Sequence, residues 1–152
     1  MGLSTEIQKK IASEWFKYIQ KEICKEFQNL ELEVCKYKKI KPKFFKEKQW
    51  TKNNKDGGGG IYFLLKNGQV FDKVGVNHST VQGNFPKKFK STIPGTNKNN
   101  SYWASGISVV AHMKNPKIPA MHFNTRYVIT SKGWFGGGMD VTPSFKDKIE
   151  KK

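Results

Sequence analysis

The chain has 152 residues, enough for one domain with a buried core. A composition 36% hydrophobic and 13% aromatic excludes a disordered chain, and no apolar run approaches the roughly 18 residues of a membrane span. The formal charge of +16 leaves two readings open, a nucleic-acid- or membrane-binding surface and a lysine-rich solvated one.

The N-terminus lacks the apolar core and cleavage site of a secretory signal. Cys24 and Cys35 form no CxxC pair, which excludes a zinc site built on cysteine and suits a cytosolic chain with reduced, structural thiols. Residues 5–30 read as an amphipathic helix. Ile7, Ile11, Trp15, Ile19, Ile23, Phe27 and Leu30 recur at steps of four or three and predict one core-facing stripe. Thr5 with Gln8 predicts a capping box at its start.

Residues 34–56 are rich in Lys and Asn and read as a loop, with "KFFKEKQW" as a short strand or edge. The "GGGG" at Gly57–Gly60 has neither GK[ST] nor a helix after it, so it is no phosphate-binding P-loop. It leads into the strand "IYFLL". "KNGQ" predicts a hairpin turn at Asn67-Gly68, and "VFDKVGVNHSTVQG" a second extended segment, in which His78 looks incidental. "NFPKKFKSTIPGTNKNN" reads as loop. "YWASGISVVAHM" and "HFNTRYVIT" are β-branched and aromatic and predict strands, and "KGWFGGGMDVTPSF" a Gly-rich strand end. "KDKIEKK" resembles the start of a helix. One helix followed by consecutive strands indicates an α+β fold: a broad antiparallel sheet with the N-terminal helix packed on one face and the other face bare.

The distribution of acids says more than the total charge. From Lys73 to Met139, 67 residues contain no Asp or Glu, against about five expected at the chain-wide frequency of 12 in 152. A surface cleared of carboxylates suits an anionic ligand. The same span holds Arg126, the single arginine among 28 basic residues, close to His112 and His122. Its planar fork matches a carboxylate in a way lysine cannot reproduce.

Side chains alternate faces along a strand. A hairpin pairing His112 with His122, Val110 with Asn124 and Ser108 with Arg126 gathers five polar residues on one face. Ile107, Val109, Ala111, Phe123 and Tyr127 then lie on the other, ready for burial. The two histidines can serve as acid, base or ligands of a divalent metal, or simply as polar groups on a solvated sheet. Asp140, after "WFGGGM", reads either as a ligand-facing carboxylate approached closely over glycines or as a turn cap.

"SGISVVAHMKNPKIPAMHFNTRYV" followed by "WFGGGMDVTP" closely resembles the oxygen-dependent coproporphyrinogen-III oxidases. "GGGG", "GQVFDKVGVNHSTVQG" and "YWASGIS" fit the same family in the same order. The resemblance runs from about Trp50 to Phe145, and the helix fits as well. It implies a flat antiparallel sheet flanked by helices, in a homodimer. It also implies a reaction: oxidative decarboxylation of two propionates of coproporphyrinogen III to vinyl groups, giving protoporphyrinogen IX for haem synthesis. Molecular oxygen is the oxidant, no organic cofactor is needed, and some bacterial members are described with a divalent metal.

By resemblance, Ser108, Asn124, Thr125 and Arg126 bind substrate. His112 and His122 fall on metal-assigned histidines, His122 doubles as proton donor, and Asp140 falls on the acid that engages the pyrrole N–H groups. Family members run to about twice this length, so residues 1–152 read as a single, C-terminally truncated domain holding about half the site. The alternatives are an inactive remnant of the enzyme and a basic nucleic-acid-binding domain. Only the lysine content supports the second, since no RNP, zinc-finger or helix-turn-helix pattern is present.

Overall fold

The computed structural model describes residues 2–52, 57–89, 92–97 and 99–145. The "KDKIEKK" segment lies outside them, as do parts of the two predicted loops. Helix α1 (Thr5–Lys38) precedes six strands: β1 (Lys46–Thr51), β2 (Gly58–Lys66), β3 (Phe71–Asn84), β4 (Ser101–Met113), β5 (Ala120–Ile129) and β6 (Gly133–Thr142). They form one antiparallel meander in the order β1-β2-β3-β4-β5-β6. The helix lies across β3 and β4, on one face only, as the α+β reading requires.

The helix runs eight residues past its predicted end. It stops where Lys39 turns left-handed (φ 55°), with Lys39 N–H bonded to the Lys36 carbonyl and Ile40 N–H to that of Cys35. That is a Schellman closure built on lysine instead of glycine. The Thr5–Gln8 box does not form. Ser4 occupies the cap position, and Gln8 reaches back to the Leu3 carbonyl instead.

The predicted stripe is only partly buried. Ile19, Ile23 and Phe27 flank the core, but Ile7, Ile11, Trp15 and Leu30 are about half exposed (48%, 54%, 54% and 45%). A step of four overshoots the helical repeat by about 40°, so a line of such steps winds around the helix. The buried line is Ala12, Phe16, Gln20, Cys24, Glu31 and Cys35. Small residues let the helix approach the sheet. The two polar ones bond the strands below: Gln20 donates to the Ile61 and Val76 carbonyls, and Glu31 accepts from the β2–β3 turn.

Strand alternation sends Val74, Val76, His78, Ile107, Val109, Ala111 and Tyr127 under the helix, where all are buried. The cysteines are free and buried there too, and burial pushes the Cys24 thiol up to about 12. The glycines of "GGGG" from Gly58 onward pair as strand residues of β2.

His78 is not incidental: it is 3% exposed and ends a partly buried chain of hydroxyls. Ser13 meets Thr80 at 3.2 Å, Thr80 meets Ser105 at 2.9 Å, and Ser105 meets His78 Nε2 at 3.3 Å. Burial pushes the imidazole pKa below its ordinary value; Lys17 adds to this and Glu14 opposes it. The unfolded chain therefore binds a proton that the folded chain excludes. The contribution of His78 is complete above about pH 6.5 and is lost as pH falls from there toward the lowered folded value. Stability against urea should drop from about pH 7 to about pH 5, and His78→Gln should flatten that slope. Equal slopes in both proteins would refute the assignment.

Candidate functional site on the open sheet face

Among the described residues no helix covers the second face of the sheet. Alternation places Ser108, Val110 and His112 of β4, His122, Asn124 and Arg126 of β5, and Asp140 of β6 on it. Ser108, His112, His122, Arg126 and Asp140 are exposed, and Asn124 is half-buried. The expected face is present, but the register differs from the expected one by two residues. Ser108 pairs with Asn124, Val110 with His122 and Gly106 with Arg126. A slip of two keeps every side chain on its face, whereas a slip of one would reverse them. The observed register sets Val109 against Phe123 and Ala111 against Met121 on the buried side.

The shift reorders the site. His112 and His122 are diagonal neighbours, with ring centroids 6.1 Å apart. Directly opposite His122 on its other side stands Asp140, in the register pair His122–Asp140. Asp140 accepts a hydrogen bond from the Thr142 hydroxyl. Arg126 donates through Nη2 to Asn124 Oδ1 at 2.8 Å, so one edge of the guanidinium is held while other N–H groups remain available. Thr125 lies apart from these residues: alternation turns it to the helix side, opposite Ile107 and Gly137.

Two more polar residues on this face escaped the sequence reading. Asn77 pairs with Ser108, and Ser79 lies opposite Gly106. Asn77 Oδ1 accepts from Trp50 Nε1 at 3.0 Å. The alternation in "VNHST" marks Asn77 and Ser79 as facing away from His78 and Thr80, which is the signal that could have found them. A shallow cavity of about 160 Å³ lies over Ser79, Gly106, Ser108 and Arg126. Beside it, side-chain atoms added at Gly136 or Gly138 would meet nothing within 4 Å, so β6 leaves open floor before Asp140.

As a metal centre the donor set falls short. Among the described residues no group of three or more His, Cys, Asp or Glu side chains is placed to hold an ion. His112 and His122 provide only two imidazoles. The arrangement can do other chemistry. It can grip a carboxylate with Arg126, supply neutral hydrogen bonds from Ser108, Asn77 and Asn124, and place an imidazole next to a carboxylate for proton transfer. No helix among the described residues is long and apolar enough to cross a membrane.

A family model described as coproporphyrinogen III oxidase matches residues 11–151. The oxygen-dependent coproporphyrinogen-III oxidase of Rickettsia felis is 52% identical over 142 residues, covering 93% of this chain and 50% of that protein. The proteins of the same name from Rickettsia akari and Rickettsia bellii are 51% and 48% identical over the same share of each. The chain thus spans about half the length of the curated relatives it matches. With nearly the whole chain matched, it belongs to the coproporphyrinogen III oxidase family.

Proposed function

We propose that the chain forms the substrate-holding sheet of an oxygen-dependent coproporphyrinogen-III oxidase. One observation carries this reading. Ser108, His122, Asn124, Arg126 and Asp140 share one open face in adjacent register positions, inside a sequence span otherwise free of acids. The reaction converts each of two propionate arms, with one oxygen molecule, into a vinyl group, carbon dioxide and hydrogen peroxide. In it Arg126 binds a propionate, and Ser108 and Asn124 fix its orientation. Asp140 faces the electron-rich ring and its pyrrole N–H groups, and His122, opposite Asp140, gives or takes the proton. A dimer and a cytosolic location complete the reading; the two buried, free cysteines support the latter.

The test is protoporphyrin fluorescence after coproporphyrinogen III and air are supplied to the chain. Turnover above the no-protein rate, reduced about a hundredfold or more in Asp140→Asn, is the expected result. Turnover indifferent to Asp140 would remove that residue from the mechanism. Porphyrin binding without turnover would leave the remnant reading, in which the face holds its ligand but does not process it.

A further inference from the structure

A second basic site lies on the same open face, at the opposite edge of the sheet. A cavity of about 660 Å³ is lined by Lys43, Lys46, Lys48 and Lys66, over apolar walls that include Phe44 and Leu64. That volume suits part of an amphiphilic ligand. No carboxylate lines it, because alternation turns Glu47 to the other face of β1, opposite Phe63. None of the four lysines is ion-paired among the described residues. Four uncompensated cations around one cavity repel one another and are relieved by an anion.

The walls are held from behind by the helix. Gln28 donates to the Lys43 carbonyl at 2.9 Å and accepts from Phe45 N–H at 3.2 Å, fixing the segment that enters β1. Glu31 fixes the turn after Lys66 through the N–H groups of Gln69, Val70 and Phe71. The pocket is therefore held in shape before any ligand arrives.

Its position relates it to the first site. Lys48 pairs with Tyr62, Tyr62 with Asn77, Asn77 with Ser108, and Ser108 with Asn124. Lys48 thus stands on the same cross-strand line as Ser108 and Asn124, three strand spacings or about 14 Å from Ser108. Coproporphyrinogen carries four carboxylates on arms around its ring. A ring seated over Asn77 and Ser108 directs arms toward both edges of the sheet.

We propose that the Lys43–Lys46–Lys48–Lys66 pocket is a second carboxylate subsite, holding a distal acid arm of the tetrapyrrole while Arg126 holds another. The proposal rests on the functional reading above. Lys46 and Lys48 are then positioning residues that set where the ring lies over Asp140.

The test is titration of the chain with coproporphyrin III, the air-stable tetracarboxylate, followed by porphyrin fluorescence. Four proteins are compared: wild type, Lys46→Gln/Lys48→Gln, Arg126→Lys, and Lys10→Gln/Lys21→Gln, which removes the same charge from the exposed helix surface. All these side chains are solvent-exposed, so the fold is expected to persist, and far-UV circular dichroism checks it. The β1 double variant should weaken binding about fivefold relative to the helix double variant. Equal weakening in the two double variants would reduce the pocket to diffuse charge and overturn the subsite. A wild-type-like β1 variant beside a weakened Arg126→Lys would overturn the subsite and leave the functional reading intact. No saturable binding by any of the four would overturn both.

Discussion

Glu31→Gln should lower the unfolding free energy by about 3 kcal/mol, a large share of the total for a domain this size. Glu31 is fully buried (0% exposed) and is held by the helix against the β2–β3 turn. Its Oε1 accepts from Val70 N–H at 2.9 Å and Phe71 N–H at 2.8 Å, and its Oε2 from Gln69 N–H at 2.7 Å. Three backbone donors thus converge on one carboxylate. Hydrogen bonds to a charged group contribute about 1.5–3 kcal/mol each, and a buried donor left unpaired adds its own desolvation cost. Glutamine has the same shape but turns an NH2 group toward an N–H donor, so at least one bond is lost and replaced by repulsion.

Nothing larger than glycine fits beneath this carboxylate: a Cβ on Gly68 would overlap Glu31. Urea unfolding measures the loss, with Glu33→Gln on the exposed helix surface as control, expected to stay within about 0.5 kcal/mol of wild type. A loss below about 1 kcal/mol for Glu31→Gln would mean that the turn holds its shape without the helix.

The buried glutamate also shows what could be read in the sequence. The asparagine–glycine turn beside it is legible, because Asn67 takes φ 55° and such residues are selected locally. The strands of "YWASGISVVAHM" and "HFNTRYVIT" are legible for the same kind of reason, alternation over a long β-branched run. Glu31 and Gln20 are not. A polar residue enters a core only where tertiary structure brings it a partner, and those partners lie 30 or more residues away in sequence. The buried stripe of the helix is not legible from apolar character alone, because a line of steps of four winds off the buried face. Ala12 and Cys24 let the helix sit close, while Ile7 and Ile11 remain outside.

In the site, alternation identified the correct face, but it cannot distinguish registers two residues apart. In the observed register Phe123 stands against Val109 and Met121 against Ala111. That ambiguity conceals the diagonal placement of His112 and His122; the pairing of His122 with Asp140 belongs to the β5–β6 register, which no single-strand pattern contains. β6 is a longer strand than its own sequence indicates, for a related reason. "GWFGGGMDVT" has weak strand propensity of its own and forms a full strand by pairing with β5 along its length.

Arg126→Lys carries the second large effect. It preserves the charge and removes the fork, so it separates recognition of a carboxylate from general attraction. A bidentate charge-assisted pair contributes roughly 1.5–3 kcal/mol, and the lower end applies because Arg126 is exposed. That corresponds to about tenfold in affinity. Asn124 anchors one edge of the guanidinium at 2.8 Å, and a lysine ammonium would keep neither that planar contact nor the parallel pair of donors. Lysine is not a general substitute here: the chain has many lysines and places its single arginine on this face.

The central claim, that the open face of β4–β6 recognises the acid arms of a tetrapyrrole, is tested most directly by repeating the coproporphyrin III titration with Arg126→Lys across a range of salt concentrations. The expected result is about tenfold weaker binding at every ionic strength, with the salt dependence unchanged, because the charge remains and only the geometry is lost. Equal affinity for the two proteins, falling steeply with salt in both, would show that the face attracts anions through its charge alone and would contradict the claim.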